Sequence, residues 1–162
     1  MPTKSTDAKA AASPEAQLRS LIGDFSPKDQ KLVASVRSAV RKRFPSANEL
    51  VYDYGTHLVF GYSPTENGVD GILTIAAHAG DVRLYLMNGP QLPDPKKLLI
   101  GSGKQVRYIE VPAASRLKHP DVEALIAAST RLTKTPFASK GSGKLVIKAT
   151  AASKRPRQKK TK

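Results

Sequence analysis

Apolar positions recur every three or four residues in the first third of the chain and every two residues in the middle third. The first pattern predicts helices. Leu18, Leu21 and Ile22 share one side of a short helix that Ser13 caps, Pro14 opens and Gly23 ends. A longer helix starts at Ser26 and Pro27, with Asp29 in its first turn. Its stripe is Leu32, Val33, Val36, Ala39, Val40 and Phe44. Arg41, Lys42 and Arg43 sit at its C-terminal end, where the helix dipole favours positive charge, and Pro45 stops it.

The alternating pattern predicts strands over 50–54, 57–62, 71–78 and 82–87, with turns at Gly55, Asn67–Gly68 and Ala79–Gly80. Along 82–87, Val82, Leu84 and Leu86 face one way while Arg83, Tyr85 and Met87 face the other. Asp94 and Pro95 are a helix-start pair and predict a short helix to Leu99. A fifth strand is expected over 106–111, and a last amphipathic helix from Pro120 to about Arg131. Strands joined by short connections, with helices before and after, predict an α+β domain. About five mainly antiparallel strands would carry the N-terminal and C-terminal helices on the sheet.

Charge divides the chain. Residues 133–162 hold ten Lys or Arg and no acid, whereas residues 13–132 hold fifteen basic and twelve acidic residues. The expectation is therefore a disordered lead-in over 1–12, a nearly charge-balanced domain over 13–132, and a disordered basic tail over 133–162. Within that tail, 144–147 (Lys-Leu-Val-Ile) is the one sticky spot. The absence of cysteine excludes disulfides, thiol catalysis and thiolate metal sites. No apolar run of about 18 residues occurs, which argues against a membrane span, and the N-terminus lacks the apolar core of a secretory leader. A cytoplasmic protein with no membrane partner is the expectation.

One segment is more specific. Gly89, Leu92, Asp94, Pro95, Leu98, Leu99, Gly101, Gly103, Lys104, Arg107 and Ile109 spell a strand-end Gly, Leu-x-Asp-Pro, a Leu pair, Gly-x-Gly-Lys and an Arg-aromatic-Ile strand. With Tyr54–Gly55 upstream and the closing helix over 120–128, this resembles the YdhG-like family of bacterial domains across roughly 18–132. The resemblance implies a small α+β domain and, for some members, a frataxin-like iron-chaperone role. Iron carriage of that type needs clustered carboxylates. The acids of 13–132 are scattered along the sequence, and the Trp common in the family is missing.

Four sets of residues are candidates for chemistry. Gly101 and Gly103 expose backbone N–H groups beside Lys104 and Arg107, a loop able to hold a small anionic ligand or, in an enzyme, an anionic substrate. It is not a P-loop, because Leu98 and Gln105 occupy the positions that need Gly and Ser or Thr. The simpler reading is a tight helix-to-strand link with solvated cations, since glycines in a short loop need only backbone explanations. Tyr52, Tyr54, Tyr62, Tyr85 and Tyr108 all fall on expected strands, and a face combining some of them with Arg83 and Arg107 would stack a planar ligand or a base. Tyr54 and Tyr85 join the loop as candidate ligand contacts. His57, His78 and His119 read as element-boundary residues, and the chain lacks the spacing of a zinc or Ser–His site. No catalytic residue, metal ligand or cofactor is assigned. Lys154, Arg155, Arg157, Lys159 and Lys160 are candidates for weak, non-specific contact with nucleic acid or another polyanion, or else a solubilising end. The reading that unites these is a non-enzymatic small-ligand or interaction module.

Overall fold

The computed structural model describes residues 13–148. Helices α1 (Pro14–Ile22) and α2 (Pro27–Arg43) come first. Strands β1 (Asn48–Asp53), β2 (Leu58–Ser63), β3 (Leu73–His78), β4 (Asp81–Met87) and β5 (Val106–Glu110) follow. Helix α3 (Pro120–Arg131) and strand β6 (Leu145–Lys148) close the described chain. The sheet order is β5-β4-β3-β2-β1-β6, and every pairing is antiparallel except that of β6 with β1. The architecture is α+β, as the alternation of patterns implies. Among the described residues no helix is long and apolar enough to cross a membrane.

The helix starts are built by the residues that signal them. The Ser13 and Ser26 hydroxyls accept from the amides of Ala16 and Asp29, each at 3.1 Å. Asp29 is itself buried, and its carboxylate accepts the Gly80 amide at 2.9 Å. This carboxylate ties the first turn of α2 to the β3–β4 hairpin, where Gly80 takes a φ of 73°.

All the helices lie on one face of the sheet. That inner face carries Val51, Phe60, Tyr62, Ile75, Leu84 and Ile109, packed with Leu18 of α1, Val33 and Val36 of α2, and Val122 and Leu125 of α3. A buried charge crosses the layer. Glu49 is 3% exposed and receives the Arg37 Nε and Nη2 groups at 2.8 Å each and the Tyr62 hydroxyl at 2.6 Å. Burial pushes the Tyr62 hydroxyl pKa far up, and the Glu49 carboxylate adds to the shift. For Arg37, burial pulls the pKa down, but hydrogen bonding and charge from Glu49 outweigh it and the net shift is upward.

Two sequence expectations need correction. The first is the tail boundary at 132. Residues 145–148 form the parallel edge strand β6, in register with residues 49–52 of β1. Leu145 and Ile147 pack on the core, and Phe137 lies 4.8 Å from the Phe44 ring. The approach is pinned by Gly143 N–H to the Pro45 carbonyl, Lys144 N–H to Asn48 Oδ1, and Glu49 N–H to the Lys144 carbonyl. A side chain at Gly143 would overlap the Ala47 carbonyl oxygen, so the strand enters only through glycine. Lys134, Lys140, Lys144 and Lys148 therefore belong to the folded body, which is clearly basic rather than nearly neutral. The remainder of the expected tail, like the expected lead-in, lies outside the described residues.

The second correction is the helix at 94–99. Its Asp–Pro pair builds a loop instead. The Asp94 carboxylate accepts the amides of Leu98 and Leu99 at 2.8 and 2.9 Å, and Lys97 turns through a φ of 53°. A helix cap at Asp94 would take the amides of Lys96 or Lys97 instead; here the carboxylate reaches further along the chain and closes a loop that frees Ile100 to bridge to Tyr108 at the β5 edge.

Candidate functional site

Strand register decides which side chains meet. Tyr85 pairs with Tyr108, Arg83 with Glu110, Ala76 with Arg83, and His78 with Asp81. Paired residues share a face. Arg83, Tyr85 and Tyr108 therefore stand together on the face opposite the helices, joined there by Tyr52, Val59, Gly61, Thr74, Ala76 and His78. Alternation sends Tyr62 to the inner face with the core.

Two aromatic groups form on the outer face. On β4 and β5 the Tyr85 and Tyr108 rings are 5.1 Å apart, and the Arg83 guanidinium lies 4.5 Å above the Tyr108 ring. Asp81 Oδ2 takes the Arg83 Nε–H at 2.8 Å and sets its orientation, and an Arg83 N–H reaches the Tyr85 hydroxyl at 3.4 Å. Across β1 to β3 the rings of Tyr52, Tyr54, His57 and His78 run in a row, with successive centroids 6.3, 5.2 and 4.4 Å apart. Between the groups the floor is small or short: Val59, Gly61, Thr74 and Ala76. At about 4.8 Å per strand, the floor is a strip about 10 Å wide, enough for a planar ring.

Burial lowers the His57 pKa first, the neighbouring His78 lowers it further, and Asp53 opposes both. Burial also raises the Tyr52 pKa. The residues 64–71 fold over the β1 side of this face: a side chain at Gly68 would strike the Tyr52 hydroxyl, and Lys148 Nζ donates to the Glu66 carbonyl at 3.0 Å.

The expected Gly-x-Gly-Lys site is divided by the fold. Gly101 borders the Tyr108 ring at a φ of 109°. The Gly103 carbonyl accepts from Arg107 Nε at 3.2 Å, and a side chain at Gly103 would strike the Val106 carbonyl. Both glycines thus have backbone reasons to be glycine. Arg107 pairs with Leu86 on the inner side of β5, where its stem lies over Gly89, while Lys104 is exposed. Arg107 does not share a face with Tyr54, Tyr85 or Tyr108. The basic candidates Lys154, Arg155, Arg157, Lys159 and Lys160 lie outside the described residues.

The boundary reading of each histidine overlooks the pairing of His57 with His78. Its signal was present, because two antiparallel strands with His at the start of one and the end of the next place them side by side. Among the described residues no three His, Cys, Asp or Glu side chains converge on a possible metal position. No protein-family model, curated protein or solved structure matches the chain.

Proposed function

We propose that this chain is a non-enzymatic cytoplasmic binding module of YdhG-like kind that holds a planar, anionic small molecule against the outer face of its sheet. The observation that carries this reading is the Arg83 guanidinium held over the Tyr108 ring beside Tyr85. An aromatic surface offers stacking to any planar ring, and the adjacent cation favours a negatively charged one. Gly101 places the loop of the sequence motif at the rim of this surface, with exposed Lys104 two residues beyond Ser102. In this reading Tyr54 and His57 form the opposite wall. The run Lys154, Arg155, Arg157, Lys159 and Lys160 adds salt-sensitive, non-specific attraction for polyanions.

The test is a titration of the full chain with purine and pyrimidine nucleoside monophosphates, read by tyrosine fluorescence and native mass spectrometry. Stacking on an aromatic side chain is worth about 1–3 kcal/mol. Tyr108→Ala and Arg83→Gln should each weaken binding about tenfold or more while leaving the unfolding midpoint nearly unchanged. Absence of saturable binding by any of these planar anions, or binding indifferent to both substitutions, would overturn the proposal.

A further inference from the structure

A second surface lies on the opposite side of the molecule. A cleft of about 910 Å³ opens where α1, α2 and the segment entering β6 meet. Four cations line it: Arg19 from α1 and Arg37, Arg41 and Lys42 from α2. Among the described residues no carboxylate does, and on the α2 wall Ala34 leaves space between the turns that carry Gln30 and Arg37. Ser142 and Gly143 close one end, so the cleft is complete only when the β6 segment is docked.

The cations differ in how firmly they are held. Arg37 is fixed by its paired bonds to buried Glu49, which orients its guanidinium without a mobile partner. Arg41 is held loosely, 3.6 Å from Glu15 and 3.9 Å from Glu49. Glu15 is half-exposed and shares its Oε2 between Arg37, at 3.2 Å, and Arg41. Arg37 and Arg41 thus share the carboxylates of Glu15 and Glu49, and Arg19 and Lys42 add positive charge to the cleft. Arg37 and Arg41 are one turn apart, about 6 Å along the helix axis, with Arg19 on the facing helix. A single small anion engages one or two such groups; a chain of linked phosphates engages all of them.

We infer that this cleft is a binding site for an oligophosphate group, with Arg37 as the fixed anchor, Arg19, Arg41 and Lys42 as adaptable contacts, and Glu15 as an internal competitor for the same cations. Its residues are separate from those of the aromatic face, so the two sites stand or fall independently.

Isothermal titration of the full chain with inorganic tripolyphosphate, at constant ionic strength, tests it. Arg41→Ala combined with Lys42→Ala should weaken binding at least tenfold, and Arg19→Ala should weaken it several-fold. Glu15→Gln should tighten it several-fold, which a merely structural carboxylate would not do. Pyrophosphate should bind more weakly than tripolyphosphate, and Tyr108→Ala should leave both unchanged. Chemical shifts of the Ser142 and Gly143 amides should move with the titration. Tripolyphosphate binding that ignores Arg19→Ala, Glu15→Gln and the double substitution alike would place the anion on the basic C-terminal run and overturn the inference, as would no saturable binding.

Discussion

Glu49→Gln is the sharpest probe of the interior. The substitution keeps the shape of the side chain and removes its charge. Three donors converge on the carboxylate: two from Arg37 at 2.8 Å and the Tyr62 hydroxyl at 2.6 Å. An amide can present one acceptor oxygen to them, and its own N–H₂ then faces a guanidinium. Breaking a buried ion pair from one side costs about 3–5 kcal/mol, because the partner charge is stranded. Arg37 keeps 16% side-chain exposure and its contact with Glu15, so the lower end applies, about 3 kcal/mol. Arg37→Met with Glu49→Met removes both charges and should cost less than Glu49→Gln alone, since no charge is stranded and the neutral Tyr62 hydroxyl is the group that loses its acceptor. The assay is urea unfolding at neutral pH followed by far-ultraviolet circular dichroism. A loss below about 1 kcal/mol for Glu49→Gln, or a double substitution as costly as two independent ones, would refute the view that stranding of Arg37 dominates.

Gly143→Ala should release β6 selectively, because the new methyl group would overlap a backbone carbonyl that cannot rotate away. Hydrogen exchange of the Glu49 amide, which donates to the Lys144 carbonyl at 2.7 Å, should accelerate while the β3–β4 ladder stays protected; equal protection in both places would show that the strand docks without glycine. The pH dependence of the aromatic face follows from His57. Its folded pKa lies below the unfolded value of about 6.5, so folding favours the neutral ring. No penalty exists well above pH 6.5, and one develops as pH falls through that value toward the folded pKa. The stability of the native chain relative to His57→Gln should therefore decline between pH 7 and pH 5, and a difference flat across that window would show that burial and His78 do not act on this ring.

Much of the fold was legible because its signals are local. Ser13, Ser26 and Pro120 mark helix starts in sequence and do so in space, and the alternation over 82–87 sorts Leu84 from Tyr85 correctly. Asp94–Pro95 misled because an Asp carboxylate followed by Pro can cap nearby amides in a helix start or reach amides four and five residues on in a loop, and only the destination of the chain, the bridge from Ile100 to Tyr108, separates the two. The strand at 145–148 is short and pairs in parallel with residues 96 positions earlier, so no local turn announces it. Its only trace is the apolar Leu145–Ile147 amid polar neighbours. The aromatic face was half legible: the tyrosines could be located on strands, but the choice of face needed the register that sets Tyr85 beside Tyr108 and sends Tyr62 inward.

The strand at 145–148 also changes what the charges mean. Arg41, Lys42 and Arg43 have a sufficient local reason to exist, since cations suit the C-terminal turn of a helix. That reason needs no partner and predicts a solvated end. Docking of the β6 segment brings Ser142 and Gly143 against the same turn, and Arg19 approaches from α1. Arg41, Lys42 and Arg19 are then confined together, with Arg43 turned away to Glu123 and Lys144 drawn off to Glu66 at 3.0 Å on the far side of the strand. Confinement raises their mutual repulsion, which bound anion or salt relieves. The folded chain should therefore gain stability from tripolyphosphate beyond what chloride at the same ionic strength provides, and removing Glu15, a half-exposed carboxylate that relieves this repulsion from within, should enlarge that gain.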